Sequence, residues 1–454
     1  MHRAIKPAVF LQLLLACILF AAAPPPPPLG TAEQQKLVDQ LGDRDYRVRE
    51  QAEKRLFTEG MPALPLLRKA LAHPDPEVRR RALRLIPGLE HASLVSPRRV
   101  TMTVQDKPLR IILEDLSKVS GYKVMLMGAV QMRQPAPNAP AREPTFSYQF
   151  VNEPFWDVID RLCKDSQLNL QQGYGDEMVR LFPANQTSPF VGRDGAFRYA
   201  ATNLQLFRTV DLGNFNPTNG VVPPRTETLT LNLTLFSEPR LPFLGMSEVR
   251  LDAAYDSERN SMIPRAEAFS EDPNNFRGVG RRVYHGGYKQ MSMQASMVLQ
   301  RVSEKATSIK LLRGVVPVTL LVSQKPMTLT ENFLETKGKK ITVGELDFNI
   351  ESAQKMPNNQ YQVKLTITNK GNPNDYTWQN TLYQRLELFD DKGVKFQHWG
   401  SNWHGGGGNS VSLTLTFNGA LGGAKAGNPT RLVYQHWDTR QHDIAFELRD
   451  LPLP

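Results

Sequence analysis

Two tripeptides in the C-terminal third repeat one order of side chains, Gln397-His398-Trp399 and Gln435-His436-Trp437. Trp403, His404 and His442 lie nearby, so half of the chain's eight histidines fall in this stretch. Two chemistries follow from those residue types. Flat indole faces stack on sugar rings, which makes Trp399, Trp403 and Trp437 candidates for a glycan platform with His398 and His436 beside them. Converging imidazoles would instead suit a metal ion. Against both stands plain aromatic packing at strand ends, with each histidine satisfied by backbone. Period-two alternation places Trp399 and Trp437 on the opposite strand faces from His398 and His436. Packing is the favoured reading. No catalytic residue, cofactor or metal ligand is assigned, and the five side chains are carried forward as ligand-binding candidates.

Other signatures of chemistry fall away on inspection. His404-Gly405-Gly406-Gly407 resembles the oxyanion loop of some lipases, but the chain has no Gly-x-Ser-x-Gly elbow. It also lacks an HExxH pair, a Walker loop and a CxxC pair. Glu114, Asp115, Asp157 and Asp160 fall on predicted helix faces and read as solvated surface. A hydrolase would need a site assembled from loops that no motif marks. A net charge of +10 spread over 454 residues is modest, and Lys and Arg are interleaved with Asp and Glu. With no basic stripe carrying stacking aromatics, nucleic acid is not an expected partner.

The elements that must hold the candidate residues are strands. From Phe197 onward helix signals vanish. Leu229, Leu231, Leu233 and Leu235 alternate with polar residues, and Met291, Met293, Ala295, Met297 and Leu299 form a second apolar stripe of the same period. Leu204–Val210, Val249–Tyr255 and Val315–Val322 add strands to a β-sandwich over 190–328, interrupted by a polar loop over 256–287. A second sandwich is expected over 338–454. Its seven strands are Ile341–Ile350, Tyr361–Ile367, Leu382–Phe389, Val394–Trp399, Val411–Phe417, Leu432–Trp437 and Ile444–Leu448, an immunoglobulin-like number.

Upstream the period changes. VTMTVQDKPLRIILEDLSKVSGYKV and FSYQFVNEPFWDVIDRLCKDSQLNL align at a constant offset, each a strand, a Pro, an amphipathic helix and a second strand. Asp106 and Asn152 are placed to cap the two helices. Trp156 sits on the flank of the second helix, a candidate interdomain anchor, and Cys163 in the same helix reads as a buried structural thiol. This paired βαβ module, residues 97–186, resembles the short N-terminal domains of secretins and TonB-dependent receptors. That resemblance implies protein–protein contacts in the cell envelope.

A second repeat occupies 31–96. LGDRDYRVREQAEKRL matches LAHPDPEVRRRALRLI, with Asp45 on Asp75, Val48 on Val78, Arg49 on Arg79 and Ala52 on Ala82. Pro87-Gly88 is placed to end the fourth helix, and Arg79-Arg80-Arg81 is either an acidic-ligand patch or, preferably, a solvated helix face. The pattern resembles HEAT-like repeats of the phycobilisome-lyase type.

Residues 1–23 combine His2, Arg3 and Lys6 with an apolar run to Ala23, the pattern of a signal peptide or anchor. Leu14-Leu15-Ala16-Cys17 resembles a bacterial lipobox, which would make Cys17 a lipidation site. Residues 24–30 open with five prolines, a stiff spacer. The whole reads as a multi-domain α+β protein: a short α-helical repeat, paired βαβ modules and two C-terminal antiparallel β-sandwiches. Export to the periplasm or cell envelope is expected, with membrane anchoring at the N-terminus one of the outcomes. The expected role is non-catalytic binding or scaffolding, with envelope proteins or a cell-wall polymer as partner. The alternative is a glycan-binding protein using the C-terminal Trp residues.

Overall fold

The computed structural model describes residues 29–127, 144–171, 177–184, 188–210, 225–264, 288–371, 377–407, 409–419 and 426–454. Helices and several sheets coexist, so the protein is α+β, and it forms two compact units that divide between Leu94 and Val95.

The first unit is helical: α1 (Thr31–Gln40), α2 (Tyr46–Glu59), α3 (Leu64–Ala70) and α4 (Pro76–Leu94). The repeated residues do repeated work. The Asp45 carboxylate accepts from Arg47 N and that of Asp75 from Glu77 N, each at 2.8 Å, capping α2 and α4. Arg49 donates back to the carbonyls of Asp43 and Arg44, and Arg79 to those of His73 and Pro74, so both connecting loops are tied by one device. Gly42 lets those loops touch, since a Cβ there would lie 2.5 Å from Asp75 Oδ2. Val38, Leu56, Leu67, Val78, Ala82 and Leu89 make the core.

Two expectations change in this unit. The fourth helix runs through Pro87 to Leu94. An interior proline removes one ladder bond, but Leu85, Ile86 and Leu89 stay buried on the core, and that burial carries the helix onward. The Arg79–Arg81 run is no open acidic-ligand patch either. Arg79 ties the loop and Arg80 pairs with Glu77. Arg81 is buried and bonded to Glu50, Glu53 and Glu77.

In the second unit the paired copies are β1 (Arg99–Pro108), α5 (Leu109–Ser120) and β2 (Lys123–Leu126), then β3 (Thr145–Pro154), α6 (Phe155–Ser166) and β4 (Leu168–Leu170). The first strands pair with each other antiparallel, Thr103 opposite Gln149. The second strands flank β5 (Met178–Pro183), β2 parallel to it and β4 antiparallel. Leu109, Ile112, Leu116, Phe155, Ile159 and Leu162 are buried in one core. Asp106 and Asn152 do not cap. The residues before the helices are Pro108 and Pro154, with no side-chain cap, while Asp106 and Asn152 sit at φ 47° and 54°. They occupy left-handed positions where β1 slips register between Val104 and Lys107 and at the matching place in β3. Asx side chains tolerate that region better than most.

The rest is sheet. β6 (Val191–Asp194), β7 (Phe197–Val210), β8 (Arg225–Ser237) and β11 (Ser292–Leu299) form one sheet in the order β11-β8-β7-β6. β13 (Lys339–Val343), β14 (Leu346–Met356), β15 (Gln360–Asn369), β17 (Gln397–Gly407) and β18 (Ser410–Asn418) form another, in the order β13-β14-β15-β18-β17. Between them lies a sheet of β10 (Arg250–Asp256), β12 (Ser308–Thr330), β19 (Pro429–Pro452) and β16 (Leu386–Asp390), with β9 (Phe243–Met246) also on β12. The leucine and methionine stripes of β8 and β11 are buried.

The strands expected at Leu432–Trp437 and Ile444–Leu448 are one strand, β19, which pairs with β12 from Thr330↔Leu432 to Ser308↔Pro452. At the rise of an extended chain this ladder is roughly 75 Å long. Its β16 end shares an apolar core with the five-stranded sheet, through Leu388, Leu432 and Tyr434 against Phe348, Leu365 and Leu415. Its other end faces β7, where Phe197 stacks on Phe243 and on His442. A helix, α7 (Thr377–Arg385), stands where the strand over Leu382–Phe389 was expected to begin. Trp378, Thr381, Leu382 and Arg385, at helical spacing, are all buried.

Two measurements test these local accounts. Threonine is a good cap but is β-branched, so Asp106→Thr should cost about 1–2 kcal/mol in urea unfolding if the site is left-handed; a neutral result would support a cap. In the first unit, hydrogen bonds from Arg80 and then Arg81 hold Glu77 at about 2 instead of 4.5. Its contribution is therefore complete above the unfolded value and lost as pH falls through the folded one. The urea midpoint of the helical unit should drop between about pH 5 and pH 2, less so in Arg81→Met; a flat midpoint would contradict the buried network.

Candidate functional site

The five candidates from the two tripeptides are not brought together. Trp399 and Trp403 lie on β17, 58 % and 45 % exposed. Trp437 lies on β19, in a different sheet, and is 7 % exposed. The paired Trp399–Trp437 platform is therefore not assembled. His398 is half-buried against Phe417 and Tyr383, and burial lowers its pKa. His436 lies 3.6 Å from Asp438, which also takes bonds from Ser323 and Lys325. Among the described residues no three His, Cys, Asp or Glu side chains converge to hold a metal ion. His404-Gly405-Gly406 is part of strand β17, and His404 Nε2 lies 2.7 Å from Thr414 Oγ1.

β17 ends its sheet, so among the described residues its outer backbone edge has no partner strand. The register slips between His398 and Gly400, and again between Trp403 and Gly405. Those two irregularities surround the exposed indoles. Leu413, Leu415 and Phe417 of β18 point into the core, so Thr414 and Thr416 face outward. There they line a hollow of about 380 Å³ with Gln362, Ser401, Asn402 and His404, hydrogen-bonding groups with no carboxylate, Lys or Arg among them.

A larger cavity, about 560 Å³, opens between α7, β19, the β13–β14 turn and the Leu244–Gly245 stretch of β9. Periodicity alone passed over its central residue. Arg385 is 9 % exposed, and burial lowers its pKa. Its guanidinium carbon lies 4.5 Å from the Tyr434 ring centroid and 5.1 Å from that of Trp437. Nε donates to Gln435 O at 3.0 Å, and one Nη lies 3.5 Å from Thr381 Oγ1. No carboxylate among the described residues pairs with it. Taking a guanidinium out of water costs several kcal/mol, whereas each desolvated cation–π contact returns about 2 kcal/mol. Lys289 adds positive charge, its Nζ 5.4 Å from the same Trp437 ring. Trp378 Nε1, Trp437 Nε1 and Tyr434 OH are also buried without a partner among the described residues. The signal that could have found Arg385 is the spacing 378, 381, 382, 385, one helical face in a stretch read as strand.

Trp156 and Cys163 lie elsewhere. Trp156 Nε1 donates to Ala196 O at 3.0 Å, and its ring lies 6.2 Å from Phe236, fastening α6 to the start of β7. Beside it the buried Glu238 carboxylate accepts from Arg98 N and Tyr122 OH, both at 2.8 Å. Burial still raises its pKa. Gly195 permits this approach, since it has φ +57° and a Cβ would lie 2.3 Å from Val95 O. Burial pushes the Cys163 thiol up to about 12, so it stays protonated. Cys17 and the 265–287 part of the long loop lie outside the described residues, and no described helix is long and apolar enough to cross a membrane.

Compared with protein-family models, curated proteins and solved structures, the chain matches none.

Tyr434→Phe removes a buried hydroxyl that bonds to nothing described. It should leave urea stability unchanged or raise it by up to about 1 kcal/mol, and a clear loss would show that the hydroxyl has a partner.

Proposed function

We propose that the chain is an exported, non-catalytic binding or scaffold protein of the cell envelope that works through protein–protein contacts. The reading combines HEAT-like helical repeats, a secretin-like paired α/β module and packed β-sheets behind an N-terminal signal or anchor. One observation carries it: β17 presents Trp399 and Trp403 to solvent on a strand whose outer edge is unpaired among the described residues. The two register slips limit pairing along that edge, so a docked strand would pair over the Gly400–Trp403 stretch between them. A partner strand added there would gain main-chain hydrogen bonds, with the two indoles as anchors.

A second reading, glycan or cell-wall binding, draws on the hollow beside these residues. Its hydroxyl, amide and imidazole groups are hydrogen-bonding partners of the kind sugar hydroxyls use. Trp399 and Trp403 would serve it; Trp437 would not, being buried.

Whole-cell crosslinking separates the readings. The full chain should be recovered joined to other envelope proteins, and Trp399→Ala with Trp403→Ala should cut those products about tenfold or more. Recovery as free monomer alone removes the scaffold reading. Retention on isolated cell-wall polysaccharide, lost in the same double variant, would select the glycan reading instead.

A further inference from the structure

We propose that the cavity between α7 and β19 is a binding site for a small carboxylate with an apolar or aromatic body, received by Arg385. The proposal is independent of the β17 edge. Arg385 lines the cavity, is 9 % exposed, and keeps its charge at any physiological pH. Only Gln435 O and the distant Thr381 hydroxyl accept from it, so the fork retains donors with no protein acceptor among the described residues. A planar guanidinium with free donors matches a carboxylate, which it binds through two parallel hydrogen bonds.

The surroundings set the rest of the ligand. Trp378, Tyr434 and Trp437 share the cavity wall with Leu244, Val343 and Leu346, while Thr319, Asn369, His436 and Gln441 add polar groups, so beyond Arg385 a ligand would meet aromatic or aliphatic and hydrogen-bonding surface in similar measure. The volume falls in the range of ordinary small-molecule sites. Lys289 reaches the Trp437 ring but is not among the lining residues, so Arg385 is the one Lys or Arg of the lining, a charge that a carboxylate neutralises and a phosphate dianion exceeds. Glu345, also in the lining, adds a carboxylate that further disfavours a dianion.

The test is calorimetric titration of the full chain with benzoate, with benzyl alcohol and phenyl phosphate as controls, followed in parallel by tryptophan fluorescence. Benzoate should bind saturably, benzyl alcohol should not, and phenyl phosphate should bind more weakly. Arg385→Gln should weaken benzoate by about tenfold or more. Because that change could disturb α7, Thr439→Trp provides a second variant. Thr439 is an exposed wall residue, and an indole there fills the mouth while leaving Arg385 in place; it should abolish binding. Benzoate binding no better than benzyl alcohol, or unchanged in Thr439→Trp, overturns the site. Phenyl phosphate binding as tightly as benzoate overturns the carboxylate assignment.

Discussion

The antiparallel ladder between β12 and β19 is the constraint on which the sheet architecture rests. Its two strands are 23 and 24 residues long. One half closes against the five-stranded sheet and the other against the sheet of β6, β7, β8 and β11. Because its partners lie more than a hundred residues apart in sequence, closing it carries a loop entropy cost that only completed pairing repays. β9, β10 and β16 then find their places on strands already held. The same ladder carries Tyr434 and Trp437, so the cavity wall is continuous with the most extended interaction in the molecule.

Among the buried charged side chains, three show different solutions. Arg81 is surrounded by Glu50, Glu53 and Glu77, and the network is closed within the helical unit. Glu238 is satisfied by a backbone amide, a phenol and Arg240, and it locks the α/β pair against the sheets together with Trp156. Arg385 has aromatic faces, one carbonyl and the distant Thr381 hydroxyl but no ion pair with a described carboxylate. Two of the three are structural, since their bonding is complete. The third is short of acceptors and opens into a cavity, the arrangement that separates a site from a strut.

How much of this was legible in sequence depends on how far apart the cooperating residues lie. Asp45 and Asp75, Arg49 and Arg79, and Ala52 and Ala82 repeat because each pair answers the same local demand within one helix–loop unit. The stripes of β8 and β11 were readable because alternation survives wherever one face is buried. Asp106 and Asn152 misled because an Asx residue before a helix looks the same whether it caps or takes a left-handed bulge. Arg385 was passed over because a helix of nine residues inside a β-rich region has little periodic signal, and because β-strand patterning fits Leu386–Phe389 directly after it.

Secondary-structure type outside α7, the two internal repeats and the identity of most core residues were determined by the sequence alone, since each depends on side chains a few positions apart. Which strands share a sheet was decided only in three dimensions. So was the separation of Trp399 and Trp403 from Trp437, and so was the placement of Arg385 against Tyr434 and Trp437. In each case the reason is the same: pairing across long loops follows from the balance of buried area and closure entropy over the whole fold, and no window of neighbouring residues contains that balance.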